Sequence, residues 1–146
     1  METNTKYFGT ITYDKQEIIT FENGIYGFEN HKNFLLIRFS EDNEAMLCLQ
    51  NIEDTSLAFI VVNPFSFLPT YEPQLVDEDL KKLDAKTSTE LLFYNICVLN
   101  DQIENSSINL RCPLAINSEN RNGIQVVLEN TNYPFRQSLN KLAKEK

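Results

Sequence analysis

Histidine is nearly missing from this 146-residue chain, where His31 stands alone. A metal site built on histidines is thereby excluded, and a Ser-His or Cys-His nucleophile pair could form only around that one residue. It lies in the polar stretch Glu29-Asn30-His31-Lys32-Asn33, the setting of a solvated surface side chain. Cysteine is scarce too. Cys48, Cys97 and Cys112 are odd in number, far apart and without C-x-x-C spacing. Neither a disulfide framework nor a zinc site is expected, and all three read as small core hydrophobes. No Walker loop, G-x-G-x-x-G, G-x-S-x-G or H-E-x-x-H occurs. A hydrolase built on carboxylates alone stays open, since any two of the 21 acids could meet in space. The expectation is a protein that is not an enzyme and holds no cofactor or metal.

Glycine and proline are few, at 4 and 5, and 42% of residues are hydrophobic, a globular composition rather than a disordered or collagenous one. The first six residues, Met1-Glu2-Thr3-Asn4-Thr5-Lys6, have neither a basic n-region nor an apolar h-region, so a cytoplasmic location is expected. The long stretch without charge, residues 55–71, is broken by Asn63, Pro64 and Pro69. It falls short of the roughly 20 apolar residues that cross a bilayer, and no membrane association is expected. The length suits one domain, residues 1–146, with about 134–146 as a C-terminal helix or flexible tail.

Basic residues are outnumbered, giving a net charge of -8. Residues 136–146 hold four of the 13 basic side chains and one acid, so the preceding body carries -11. Phosphate backbones are held by clustered Lys and Arg, and direct nucleic-acid binding is not expected. A basic protein partner would be attracted by such a field, although acidic surfaces also serve solubility alone.

What is present is mostly strand signal, organised around residues 57–71. Leu57-Ala58-Phe59-Ile60-Val61-Val62 is a continuous apolar run, the pattern of a strand covered on both faces. Asn63-Pro64-Phe65-Ser66-Phe67-Leu68-Pro69-Thr70-Tyr71 then reads as an irregular, aromatic-rich loop. Further strands are expected over 6–13, 18–21, 34–39, 46–50, 90–99, 107–111, 114–117 and 123–129. Asn23-Gly24 and Gly27 mark consecutive tight turns that carry Ile25, Tyr26 and Phe28. Residues 76–83 form the clearest internal helix signal: Asp77 can cap it, acids occupy the first turn and lysines the last, and Leu80 and Leu83 share a face. Pro134 can open a second helix, with Phe135, Leu139 and Leu142 at helical spacing. The fold class is therefore mainly β, a single domain with one short internal helix and a C-terminal helix.

Four stretches together resemble the bacterial flagellar assembly factor FliW family. They are Phe21-x-x-Gly24-Ile25-x-Gly27-Phe28 with the following Phe34-Leu35-Leu36 strand; Leu49-Gln50 through residues 57–65 to Tyr71-Glu72; Asn109-Leu110-Arg111-Cys112-Pro113-Leu114-Ala115-Ile116-Asn117; and Tyr133-x-x-Arg136 with Leu139. The match covers essentially the whole chain. Tyr26 stands where the family often has proline and Cys112 where it often has alanine, and neither removes a group that a binding protein needs. The resemblance implies a mostly antiparallel, β-barrel-like domain and two alternating partners, flagellin and the RNA-binding regulator CsrA. With flagellin bound, CsrA is free to repress translation of flagellin message; with flagellin exported, CsrA is sequestered or inhibited.

The residues themselves nominate Phe28, Phe65, Tyr71 and Glu72 as partner contacts, because aromatic groups on turns and Pro-rich loops are plausible interface anchors. Core packing is the competing reading for each aromatic, Phe65 and Phe67 above all. Asp77, Glu78 and Asp79 join them on charge, against their ordinary reading as helix-capping and solvated residues. A small-ligand-binding β-barrel with Tyr and Phe lining a pocket is the remaining alternative to the protein binder and the hydrolase.

Overall fold

The computed structural model describes residues 1–98, 105–129 and 131–139. Eleven strands are found among them: β1 (Glu2–Asn4), β2 (Thr10–Thr12), β3 (Ile19–Thr20), β4 (Asn33–Ser40), β5 (Asn43–Asn51), β6 (Ala58–Val62), β7 (Leu92–Val98), β8 (Ser107–Ile108), β9 (Leu114–Asn117), β10 (Asn122–Gln125) and β11 (Gln137–Ser138). Two short helices, α1 (Pro64–Phe67) and α2 (Asp77–Lys82), follow β6.

Antiparallel pairings run β3-β4-β5-β6-β7, and β10 and β9 close the ring. β9 pairs with Leu92, Phe93 and Tyr94 of β7, while β10 meets β3 in parallel at a single register pair, Asn122 with Thr20. Seven strands thus form a closed wall, which removes the free edges that would invite aggregation. The far half of β7, Cys97 and Val98, pairs with β8 instead, and β11 adds to β8 as a flap on the outside of the ring.

Alternation along the strands divides the apolar residues between two faces. Phe34, Leu47, Leu49, Val61, Leu114 and Ile116 cluster with Ile19, Phe21 and Ile25, and Phe59 and Ile96 pack against them. Because this cluster draws on strands from all round the ring, it fills the barrel interior. The other face is covered piecemeal. Val62, Cys97, Ile108, Leu110, Tyr71 and Leu139 pack together under the flap, and Leu83 of the α2 end packs on Leu91, Phe93 and Ala115. Strand β6 lies between β5 and β7, with Phe59 and Val61 in the interior cluster and Ile60 and Val62 in the outer one, as a continuous apolar run requires. Only Val61 and Val62 are fully covered; Ala58, Phe59 and Ile60 are half-buried.

The local departures from expectation have local causes. The segment 6–13 is a strand only at β2, because the Thr5 hydroxyl accepts the Phe8 N–H at 2.8 Å and Gly9 takes φ +68, which together bend the chain back towards β1. The loop after β6 begins as a helical turn. Asn63 caps it, its side chain accepting the Phe65 N–H at 3.0 Å, and Pro64 sits at the first helical position, where no N–H is required. Helix α2 starts at Asp77 itself, so Val76 occupies the cap position and Asp77 lies in the first turn without capping it. Pro134 does not open a helix over the residues that follow it directly, since Gln137 and Ser138 pair with Ile108 and Ser107. The rest of the expected C-terminal helix, residues 140–146, lies outside the described residues.

All three cysteines are free and buried, and burial pushes the Cys48 and Cys97 thiols up to about 11. They pack as apolar groups. His31 is half-buried rather than freely solvated, with its ring edge-on to Phe28 and Nε2 3.9 Å from Asp54 Oδ2.

Candidate protein-interaction surface

The aromatic segment that follows β6 lines a groove of about 550 Å³ on the outer side of the wall. Each of its elements has a distinct origin. Helix α1 lifts Phe65, 40% exposed, away from the sheet while turning Phe67 inwards against the outer apolar cluster. The same one-turn helix therefore gives the two phenylalanines opposite fates. After it, Tyr71, Glu72, Pro73 and Gln74 run along one wall, the 3-10 turn at Ser88–Glu90 forms the other, and Leu91 and Phe93 make the floor.

Ring contacts hold the groove in shape. The Phe65 ring lies 5.9 Å from Tyr71 and 6.5 Å from Phe93, and Tyr71 is 4.7 Å from Tyr133. Tyr71 is only 3% exposed, so it is a wall rather than a free anchor. Its hydroxyl donates to the Leu110 carbonyl at 2.5 Å and receives the Asn95 side-chain N–H at 3.4 Å, while burial raises its pKa. The Tyr133 hydroxyl accepts the Glu72 N–H at 3.0 Å, which fixes the backbone at the rim and leaves the Glu72 side chain exposed.

This division of labour has a measurable consequence. Tyr71→Phe removes the donor to a carbonyl whose residue is 1% exposed, and stability is expected to fall by about 1–3 kcal/mol. The groove lining is otherwise kept, so partner binding by the folded variant is expected to stay within about twofold; a paired denaturation and titration experiment checks both values.

The seven residues nominated from sequence fall in three places. Phe65, Tyr71 and Glu72 meet in the groove. Phe28 lies elsewhere, on the 24–28 turn, 37% exposed and edge-on to Phe59 at 5.1 Å. Asp77, Glu78 and Asp79 open α2, and the last two border another depression with Tyr26, Lys82 and Glu129. There, burial holds the Asp79 carboxyl above its usual range; Lys82 opposes that shift, and Glu78 and Glu129 add to it. Sequence reasoning did not nominate Pro73, Leu91 or Phe93. The alternation Leu91, Phe93, Asn95, which starts just before β7 and continues along one of its faces, is the signal that could have found the floor, once that face was known to lie under α1.

Chemically the groove offers an apolar floor, ring edges and one free carboxylate. Among the described residues Glu72 is its sole acid, and no three His, Cys, Asp or Glu side chains converge to hold a metal ion. Such a surface recognises a partner by burying that partner's apolar side chains and drawing a cation to its rim. No helix among the described residues is long and apolar enough to cross a membrane.

Comparison with known proteins agrees with this architecture. The family described as "FliW protein" matches residues 2–139. The flagellar assembly factor FliW of Caldanaerobacter subterraneus subsp. tengcongensis is 41% identical over 134 residues, which cover 91% of this chain and 89% of that protein. Its counterpart from Clostridium kluyveri is 36% identical over 139 residues, covering 95% of each. A crystal structure of the flagellar assembly factor FliW superposes with a TM-score of 0.88 at 34% identity, covering 95% of this chain and 96% of that one. These relatives are named for an assembly role and not for a reaction.

Proposed function

Since the chain belongs to the FliW family of flagellar assembly factors, we propose that it works in the cytoplasm by occupancy, binding flagellin and CsrA in alternation and so relieving CsrA repression of flagellin translation. The observation that carries this reading is the groove itself, in which an aromatic anchor, Phe65, stands half-exposed over an apolar floor beside the free carboxylate of Glu72. CsrA must present positive charge to RNA, and a body of -11 suits such a partner. Occupancy without turnover makes the effect stoichiometric: relief of CsrA activity tracks the molar ratio of the two proteins.

The test is displacement. Flagellin added to a preformed complex of this chain with CsrA is expected to release CsrA, and CsrA is expected to weaken flagellin binding by the same factor, because coupling free energies are reciprocal. A stable ternary complex with unchanged affinities overturns the alternation. Release of CsrA activity by far less than one equivalent of the chain overturns occupancy as the mechanism.

A further inference from the structure

Strand β7 changes partner along one edge, from β9 at Tyr94 to β8 at Cys97, and the wall gapes where it does so. A cavity of about 420 Å³ opens there. Ile25, Phe59 and Ile96, which belong to or pack against the interior cluster, form its depth. Tyr26, Val98 and Phe135 form its rim, and they are 59%, 54% and 58% exposed, an unusual concentration of bare apolar surface at one mouth. Charge is distributed there against the trend of the molecule. In a chain of -8, no acid among the described residues lines this cavity, and the one charged residue among its described lining is Arg136. The ion pairs among the described residues are Arg38 with Glu44 and His31 with Asp54, so the Arg136 guanidinium has no described carboxylate partner. A second guanidinium, that of Arg111, lies 5.6 Å over the Phe135 ring.

We infer that this mouth binds a small carboxylate amphiphile, its aliphatic or aromatic body entering between Phe59 and Ile96 and its carboxylate pairing with Arg136. The volume lies within the roughly 300–1,000 Å³ of small-molecule sites, and the lining has their composition, apolar with a few polar groups to fix orientation. A guanidinium presents a planar fork that matches a carboxylate, so sign and geometry select the same head group. A cationic head of the same length would meet Arg136 with like charge. Among the described residues the cavity shares no lining residue with the Phe65 groove, so this inference stands or falls apart from the proposed flagellin and CsrA binding.

The experiment titrates sodium decanoate, kept below its micelle concentration, into the isotope-labelled full chain, with decyltrimethylammonium as the comparator of opposite charge. Saturable amide shifts centred on Tyr26, Phe59 and Val98 are expected with decanoate, and at least about tenfold weaker binding with the ammonium compound. Arg136→Gln is expected to weaken decanoate about tenfold while leaving the remaining spectrum in place. Val98→Glu, which sets an acid on the exposed rim, is expected to abolish binding. Shifts centred elsewhere, an equal response to both amphiphiles, or unchanged affinity in Arg136→Gln each overturn the inference. So does a peptide with a free C-terminal carboxylate that occupies the mouth where decanoate does not, since the site would then belong to a protein segment.

Discussion

Gly24→Ala is expected to lower stability by about 2–5 kcal/mol, and Gly27→Ala, in the same turn, by about 1–2 kcal/mol. Both glycines take positive φ, +69 and +88, so both substitutions carry the left-handed penalty. Only the first also meets matter. A Cβ on Gly24 would overlap the Glu29 Cα and come within 2.7 Å of its carbonyl oxygen, whereas a Cβ on Gly27 finds nothing within 4 Å. The obstacle is backbone, which cannot rotate away as a side chain would. The turn can yield only by giving up the Gly24 N–H to Phe21 carbonyl bond of 2.8 Å and the Phe28 N–H to Ile25 carbonyl bond of 2.6 Å, and those bonds place Ile25, 1% exposed, in the barrel interior. Against a total stability of about 5–15 kcal/mol the upper end of this range would leave part of the population unfolded. Denaturant midpoints of the two variants measure the difference, and equal costs would show that the 21–31 segment reshapes freely around an added methyl group.

The fold was legible wherever burial alone dictates pattern. The unbroken run Leu57-Ala58-Phe59-Ile60-Val61-Val62 announces a strand with two covered faces, and all of it but Leu57 forms β6, between β5 and β7. It was illegible where pairing depends on a distant partner. Glu2-Thr3-Asn4 has no apolar alternation, yet it is a strand because the Thr5–Gly9 turn delivers Thr10, Ile11 and Thr12 beside it. Gln137 and Ser138 follow a proline at helical spacing of apolar residues, yet they extend because β8 offers them an edge. Ring closure rests on one parallel pair, Thr20 with Asn122, which no local pattern encodes. At the candidate site, the aromatic types were visible but their orientations were not. Phe65 and Phe67 are two residues apart in an apparently irregular stretch, and it is the turn of α1, set by the Asn63 cap, that sends one out and the other in. Tyr71 looked like a surface anchor because its neighbours are prolines and polar residues; the carbonyl of Leu110, 39 positions away, draws its hydroxyl inside.

Phe65→Ala is expected to weaken binding of CsrA by about 30-fold or more, the range of an interface anchor worth about 2 kcal/mol or above. The ring stands 40% exposed over Leu91 and Phe93, so a partner that covers it would bury its remaining surface without displacing any core side chain. Phe28→Ala serves as the comparator. Phe28 has similar exposure, 37%, and a ring contact of its own with Phe59, so general loss of aromatic surface would affect the two alike. If the groove is the site, Phe28→Ala changes affinity by less than about twofold while Phe65→Ala removes most of it. Glu72→Gln separates charge from shape. Glu72 is exposed, and an exposed carboxylate acts over about 8 Å at physiological ionic strength, so its removal is expected to slow association and flatten the salt dependence more than it shortens the lifetime of the complex. The same reach governs inhibition of RNA binding. With Glu72, Asp77, Glu78 and Asp79 all changed to amides, CsrA is expected to stay bound through Phe65 but to regain RNA, with less sensitivity to salt than the unaltered complex shows. RNA excluded as strongly as before, with the same salt response, would assign the antagonism to blocking or reshaping of CsrA. A larger loss of affinity in Phe28→Ala than in Phe65→Ala would move the interface from the groove to the 24–28 turn.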